Sequence, residues 1–194
     1  MSNEQYLKNQ NINRDKELSL IDFLLSDLER YFFYNGQAGR NPRKRDLWRN
    51  FLVPRCAPVA LYRISRRFYI GRFRGLSKVI TWMNFYLHGV EISARCDIGP
   101  YFYMPHASGA VIGATTIGRY AVIYHQATLG AKTIEYGDEG RPVVGNGVVI
   151  GSGAKILGDI FIGDNSRIGA NSVVVESLPS NTLAVGVPAK ILTN

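Results

Sequence analysis

The sequence is poor in the residues that most often hold metal ions or form disulfide bonds. Its 194 residues include two cysteines, Cys56 and Cys96, and three histidines, His88, His106 and His125. The cysteines have no metal-type spacing, and nothing in the sequence fixes whether they pair. In a chain without a secretion signal, two cysteines are most simply reduced thiols. We therefore expect free thiols and no metal site.

Long apolar runs are also missing. The first twenty residues are polar, without the apolar core of a signal peptide. No uninterrupted apolar run approaches the roughly 18 residues that a membrane-spanning helix needs. These absences predict a cytoplasmic protein. A basic stretch, described next, leaves open a peripheral position at the inner face of the membrane.

Acidic residues are scarce in one part of the chain. Residues 43–78 contain eleven Lys and Arg residues, interleaved with aromatic and aliphatic residues, and a single acid, Asp46. One interpretation is a pair of solvated basic helices, and another is attachment to an anionic membrane surface. We expect no nucleic-acid partner, because no nucleic-acid-binding motif accompanies the charge.

The second half of the chain has an aliphatic residue at every sixth position. Glycine follows directly in four of the six cases, at 145, 151, 163 and 169. A period of six fits neither a helix nor the simple alternation of a strand, and it is typical of a parallel β-helix with triangular coils. The repeat predicts that its aliphatic members point into the prism: Val144, Ile150, Ile156, Ile162, Ile168 and Val174.

The same period begins earlier, with two interruptions. Ile92, Ile98 and Met104 are six apart, and after a step of seven the series continues as Val111, Ile117, Ile123 and Leu129. The step from Leu129 to Val144 is fifteen, which predicts that residues 131–142 leave the coil as a polar loop. Long polar loops on a rigid scaffold usually carry function.

Helical spacing of apolar residues precedes the repeat. It predicts helices over 18–34, about 58–70 and about 76–87, with a linker at 35–45. We therefore divide the chain into a basic helical segment, 1–88, and a β-helix domain, 89–194. The predicted fold is mainly β, a parallel β-helix preceded by a short α-helical segment.

His106 is the strongest candidate for a catalytic residue. It follows Met104 in the run MPHASG, near a corner of an early coil. A neutral imidazole can take the proton of a hydroxyl group during acyl transfer, and a carboxylate commonly holds such an imidazole in place. Glu91 lies fifteen residues earlier, so a coil of about eighteen residues brings it near the same edge. This spacing makes a Glu91–His106 pair plausible.

Residues 89–192 resemble the hexapeptide-repeat acetyltransferases of the serine O-acetyltransferase type. The segments that carry the resemblance are GVEISARCDIGPYFYMPHASGAVIG and GVVIGSGAKILGDIFIGDNSRIGANSVVVESLPSNTLAVGVPAKI. The resemblance implies a left-handed β-helix, a homotrimer, acetyl-CoA as co-substrate, and no metal. It places the catalytic histidine at His106 and its orienting carboxylate, usually Asp in that family, at Glu91. We also expect direct transfer of the acetyl group in a ternary complex, since no Cys or Ser is placed as a nucleophile.

The resemblance further implies two sets of binding residues. The acceptor set is His125, Arg141 and Asp138. The acetyl-CoA set comprises Ala131, Ser152 and Ala170 beside the pantetheine arm, and Arg167 and Lys190 near the phosphates. Small residues let a thin ligand pass close to the coil, and cations offset the phosphate charge.

Two departures from the family pattern concern the acceptor. Pro105 stands where serine acetyltransferases have Asp before the catalytic histidine, and Arg141 stands where they have a histidine that helps to hold serine. With the basic, aromatic-rich N-terminal segment and His125, these departures resemble relatives from polysaccharide pathways. The sequence therefore predicts an O-acetyltransferase acting on a sugar or polysaccharide precursor, with serine as the alternative acceptor.

A third reading is a β-helix that is not an acyltransferase. In this fold a zinc hydratase takes three histidines from two neighbouring subunits. His106 and His125 could contribute, but a third histidine at the short spacing that the site needs is missing. A non-catalytic scaffold is the other version of this reading.

Overall fold

The computed structural model describes residues 18–133 and 140–192. Four helices come first: α1 (Leu20–Tyr34), α2 (Lys44–Asn50), α3 (Ala57–Ile70) and α4 (Arg74–His88). Ser19 is the N-cap residue of α1, and its side chain and backbone exchange hydrogen bonds with Asp22 in a capping box. Helix α2 was not predicted from the sequence, because seven residues are too few to show a helical period.

Short strands follow, and they form the three sides of a triangular prism. Side 1 contains β1 (Glu91–Ile92), β3 (Val111–Ile112), β6 (Thr128–Gly130), β9 (Lys155–Leu157) and β12 (Val173–Val174). Side 2 contains β2 (Asp97–Ile98), β4 (Thr116–Ile117), β7 (Val143–Val144) and β10 (Phe161–Ile162). Side 3 contains β5 (Val122–Ile123), β8 (Val149–Ile150), β11 (Arg167–Ile168), β13 (Leu183–Gly186) and β14 (Ala189–Ile191). All neighbours pair in parallel except β13 and β14, so the predicted left-handed β-helix is confirmed.

The six-residue period places the core as the sequence predicted. All six aliphatic residues of the series 144–174 are buried, with at most 3% of their surface exposed. The glycines at the corners allow successive coils to approach closely. A Cβ atom added at Gly151 would lie 2.7 Å from the backbone nitrogen of Ala170 in the next coil, so a larger residue would force the coils apart.

One residue of the earlier series was assigned wrongly. Val111 is 41% exposed, whereas Ile112 is buried and pairs with Ile92 and Leu129 on side 1. The step from Met104 to the next inward residue is therefore eight rather than seven. The corner between Met104 and Ile112 has two extra residues, and the adjacent aliphatic residues Val111 and Ile112 both fit an interrupted series.

The helices close the open end of the prism. In α3, the Tyr62 hydroxyl donates to the Cys96 carbonyl at 2.7 Å, and Arg63 donates to the Ile98 and Gly99 carbonyls. Arg63 also forms a buried ion pair with Asp27 of α1, with Nε 2.8 Å from Oδ2. These bonds satisfy backbone carbonyls of the first coil that no preceding coil could cover. They also fix α1 and α3 on that coil.

Candidate active site

The corner between side 3 and side 1, which we call the histidine corner, carries four of the predicted site residues. Each of four successive coils has one buried aliphatic or Met residue on side 3, and the residue two positions later lies at this corner. These corner residues are His106, His125, Ser152 and Ala170. The backbone hydrogen bonds from Gly153 to His125 and from Asn171 to Ser152 join three of these coils. The structure thus gathers the two histidines and two of the predicted pantetheine-binding residues along one edge.

His106 projects from the longest of these corners. The backbone N–H of Gln126 donates to the carbonyl of Ser108. One coil later the backbone N–H of Gly153 donates to the carbonyl of His125, so Ser108, and not His106, holds the position equivalent to His125. The two extra residues of the first coil therefore lie before Ser108 and include His106. This bulge explains why His106 is exposed while its neighbour Met104 is fully buried.

The ring of His106 lies against the ring of His125. The ring centroids are 5.8 Å apart and the rings are nearly perpendicular, at 85°. Within the described ranges, the Nδ1 atom of His125 is buried and has no hydrogen-bond partner. A buried polar atom without a partner is costly, so it marks a position where a bound molecule can supply one.

Glu91 lies on the outward face of β1, on the side that begins at the histidine corner. No hydrogen bond or ion pair joins Glu91 to His106 among the residues that the structure describes. The pairing of these two residues therefore stays a prediction.

Glu91 instead lines a groove of about 340 Å³ with two arginines, Arg95 and Arg141. Arg141 Nη1 donates to the Gly113 carbonyl at 3.1 Å, and a Cβ atom at Gly113 would come within 3.2 Å of the same nitrogen. Glycine at 113 therefore leaves the room in which the guanidinium lies against the coil. Ala131 lines the same groove, apart from Ser152 and Ala170, with which it was grouped.

Arg95 is a groove residue that the sequence analysis missed. It belongs to the run SAR that follows β1, and the available signal was its position three residues beyond the inward Ile92.

The predicted phosphate-binding residues lie toward the other end of the prism. Arg167 is on β11 and Lys190 is on β14, both exposed and both on side 3. Arg167 is three coils beyond His106, and at about 4.8 Å per coil the separation along the axis is about 14 Å. Asp138 lies outside the described residues.

Neither cysteine is suited to act as a nucleophile. Burial raises the pKa of the Cys56 thiol and of the Cys96 thiol to about 12 in each case. Both therefore remain protonated near neutral pH, and the thiolate is the reactive form. In the described ranges, no group of three His, Cys, Asp or Glu residues is arranged to hold a metal ion.

Comparison with known proteins identifies the family of the chain. Residues 141–175 match the family described as bacterial transferase hexapeptide (six repeats). A serine acetyltransferase of Helicobacter pylori is 38% identical over 155 residues, which cover 79% of this chain and 90% of that protein. The chain belongs to the serine acetyltransferase family.

Other family members extend the match. A serine acetyltransferase of Synechococcus elongatus is 37% identical over 135 residues, covering 69% of this chain and 55% of that protein. The solved structure of a serine acetyltransferase in complex with CoA has a TM-score of 0.77 at 28% identity, covering 97% of this chain and 74% of that one. The enzyme from Neisseria gonorrhoeae has a TM-score of 0.79 at 29% identity, covering 93% and 68%.

Family membership confirms the predicted enzyme class and acetyl donor: the chain is an acetyl-CoA-dependent O-acyltransferase. The relatives support serine, the alternative acceptor, better than the sugar acceptor that was the main prediction. That prediction rested on Pro105, Arg141, His125 and the basic N-terminal segment, which do not outweigh the similarity along the chain. The same membership argues against the zinc hydratase and scaffold readings.

No helix in residues 18–133 or 140–192 combines the length and apolarity needed to cross a membrane.

Proposed function

We propose that the chain transfers the acetyl group of acetyl-CoA to the hydroxyl oxygen of L-serine, producing O-acetylserine and CoA. The observation that carries this proposal is the charge pattern of the groove on the outer face of side 1. It has one carboxylate, Glu91, and two guanidinium groups, Arg95 and Arg141. A zwitterionic amino acid has charges complementary to both kinds of group, whereas a neutral sugar can hydrogen-bond to them but has no charge to pair with either.

In this proposal His106 is the general base. Its imidazole takes the proton of the serine hydroxyl while the serine oxygen attacks the thioester carbon. The carbon–sulfur bond then breaks, and the departing CoA sulfur takes up a proton. A backbone N–H at the histidine corner is the simplest donor for the oxyanion of the tetrahedral intermediate.

The remaining predicted residues have binding roles. Arg141 binds the serine carboxylate, as an arginine fork binds carboxylates with two parallel hydrogen bonds. The Nδ1 atom of His125, which has no partner among the described residues, forms a hydrogen bond with the bound substrate. Ser152 and Ala170 border the pantetheine arm, and Arg167 and Lys190 lie near the phosphates. Glu91 orients His106 once substrate fills the groove.

Acceptor analogues test this proposal directly. We expect purified protein to release CoA thiol with L-serine, and we expect poor release with serine methyl ester, which lacks the carboxylate. The Arg141→Gln variant should raise the KM for L-serine about tenfold or more, whereas Arg45→Gln, on α2, should leave it unchanged. Release with nucleotide sugars or glycans but not with L-serine would overturn the proposal.

A sugar hydroxyl is the second candidate acceptor, and Pro105 is the observation that favours it. Pro105 removes a carboxylate immediately beside His106, where an ammonium group would otherwise find a partner. If the acceptor is a sugar, the Pro105→Asp variant should lower activity with the sugar without creating a preference for serine. If it is serine, the same variant should lower the KM for serine.

A further inference from the structure

Helix α4 has its amphipathic character reversed. Its buried positions are mostly polar: Ser77 and Asn84 are 3% exposed, and Ile80 is the one large apolar side chain buried beside them. On an ordinary surface helix the apolar stripe faces the core and the polar face meets water.

Polar contacts hold the inner face against α3. The Ser65 hydroxyl donates to the Ser77 carbonyl at 2.9 Å and lies 2.9 Å from the Thr81 hydroxyl, while Asn84 Nδ2 donates to the Pro58 carbonyl at 2.9 Å. The orientation of α4 is therefore fixed by hydrogen bonds, and turning the helix over would break them.

The opposite face is apolar and exposed. Trp82 is 63% exposed and Tyr86 is 81% exposed. We name this surface the α4 outer face; it consists of Leu76, Val79, Trp82, Met83, Tyr86 and Leu87. Six exposed apolar side chains along one face of a helix form a patch that marks an interaction surface.

Positive charge borders the α4 outer face. Arg67, Arg72, Arg74 and Lys78 are exposed, and within the described part of the chain none of them is in an ion pair. The α3–α4 hairpin, residues 57–88, contains no Asp or Glu. Docking this hairpin on the same hairpin of a second copy would place like charges together, which is unfavourable. The surface is complementary to an anionic partner.

We propose that the α4 outer face docks on an anionic lipid surface, with its aromatic and aliphatic side chains in the headgroup–acyl boundary. Trp and Tyr side chains favour that boundary, and Arg and Lys beside an apolar face attract anionic headgroups. The inference is independent of the acceptor, because no residue of α4 belongs to the histidine corner or lines the groove on side 1.

The two tryptophans of the chain offer a matched pair of reporters. Trp48→Phe leaves Trp82 as the single fluorophore, and Trp82→Phe leaves Trp48 on α2. With vesicles of phosphatidylcholine and phosphatidylglycerol, we expect the emission of Trp82 to shift to the blue and that of Trp48 to change less. Vesicles of phosphatidylcholine alone should give a much smaller shift, and added salt should reduce binding.

Co-sedimentation with the same vesicles completes the test on the full chain. We expect Trp82→Ser/Tyr86→Ser and Arg74→Glu/Lys78→Glu each to lower the bound fraction at least fivefold. The control Arg45→Glu/Arg49→Glu makes the same change in net charge on α2 and should retain binding.

Absence of vesicle binding by the wild-type chain would overturn the proposal. So would dissociation of the wild-type oligomer by the Trp82→Ser/Tyr86→Ser substitutions, since a second copy would then be the partner that covers the α4 outer face. CoA thiol release measured on each variant shows that the fold is intact.

Discussion

At the scale of single residues, the first coil has a histidine corner two residues longer than the corresponding corners of later coils. The extra residues bring His106 out of the wall, beside the ring of His125, at 5.8 Å between centroids. The sequence identified both histidines, since they are rare in the chain. The sequence did not reveal that the Nδ1 atom of His125 is buried without a hydrogen-bond partner, because that depends on how the surrounding residues pack.

Kinetics can distinguish two roles for Glu91: orienting His106, or binding the ammonium group of the substrate. If Glu91 orients His106, Glu91→Gln should lower kcat with L-serine by about tenfold or more and shift the pH profile, since the imidazolium loses its carboxylate. If Glu91 only binds the ammonium group, KM should rise while kcat is retained. Steady-state kinetics across pH separates these outcomes, and an effect on KM alone would contradict the orienting role.

The two cysteines should be inert in the folded protein. Because burial raises the pKa of both thiols to about 12, the thiolate fraction at pH 8 is on the order of 10⁻⁴. We expect Ellman's reagent to label native protein slowly and to label two thiols per chain after denaturation. Rapid labelling of the native protein would show that one thiol is exposed and ionised.

At the scale of elements, the sequence predicted three of the four helices and the regular part of the β-helix, because both have sustained periods. It failed where the period is interrupted. Val111 and Ile112 are adjacent aliphatic residues, and either fits a series broken by the bulge at His106. Only the pairing of β1 with β3 decides between them.

These two neighbours make a matched test of the register. Ile112→Ala removes a fully buried side chain and should lower the free energy of unfolding by about 2–5 kcal/mol. Val111→Ala removes a side chain that is 41% exposed, and its effect should stay within about 0.5 kcal/mol. Urea denaturation of both variants measures the difference, and a larger loss for Val111→Ala would reverse the register.

At the scale of the whole molecule, the division into a helical segment, 1–88, and a β-helix domain, 89–194, stays a prediction. The Arg63–Asp27 pair and the bonds of Arg63 to the first coil join the helices closely to the prism. Sequence alone could not reveal this connection, because Arg63 is one of eleven basic residues in its stretch. Its burial, with 4% of its surface exposed, singles it out.

The predicted homotrimer is a further property of the whole molecule. We expect sedimentation equilibrium to give three times the chain mass of 21.6 kDa, because association of the flat sides buries exposed aliphatic residues such as Leu183. A mass of one chain across the concentrations at which the enzyme is active would contradict the trimer.

The most direct test of the account is the kcat/KM for L-serine in the wild-type chain and in the His106→Ala variant. We expect the variant to lose about 10²- to 10⁴-fold, the contribution of a general base, while binding of acetyl-CoA is retained. Loss of activity with L-serine, formation of O-acetylserine by the wild type, and an unchanged fold would together support His106 as the base and serine as the acceptor. A kcat/KM for L-serine in His106→Ala equal to that of the wild type would contradict the central claim.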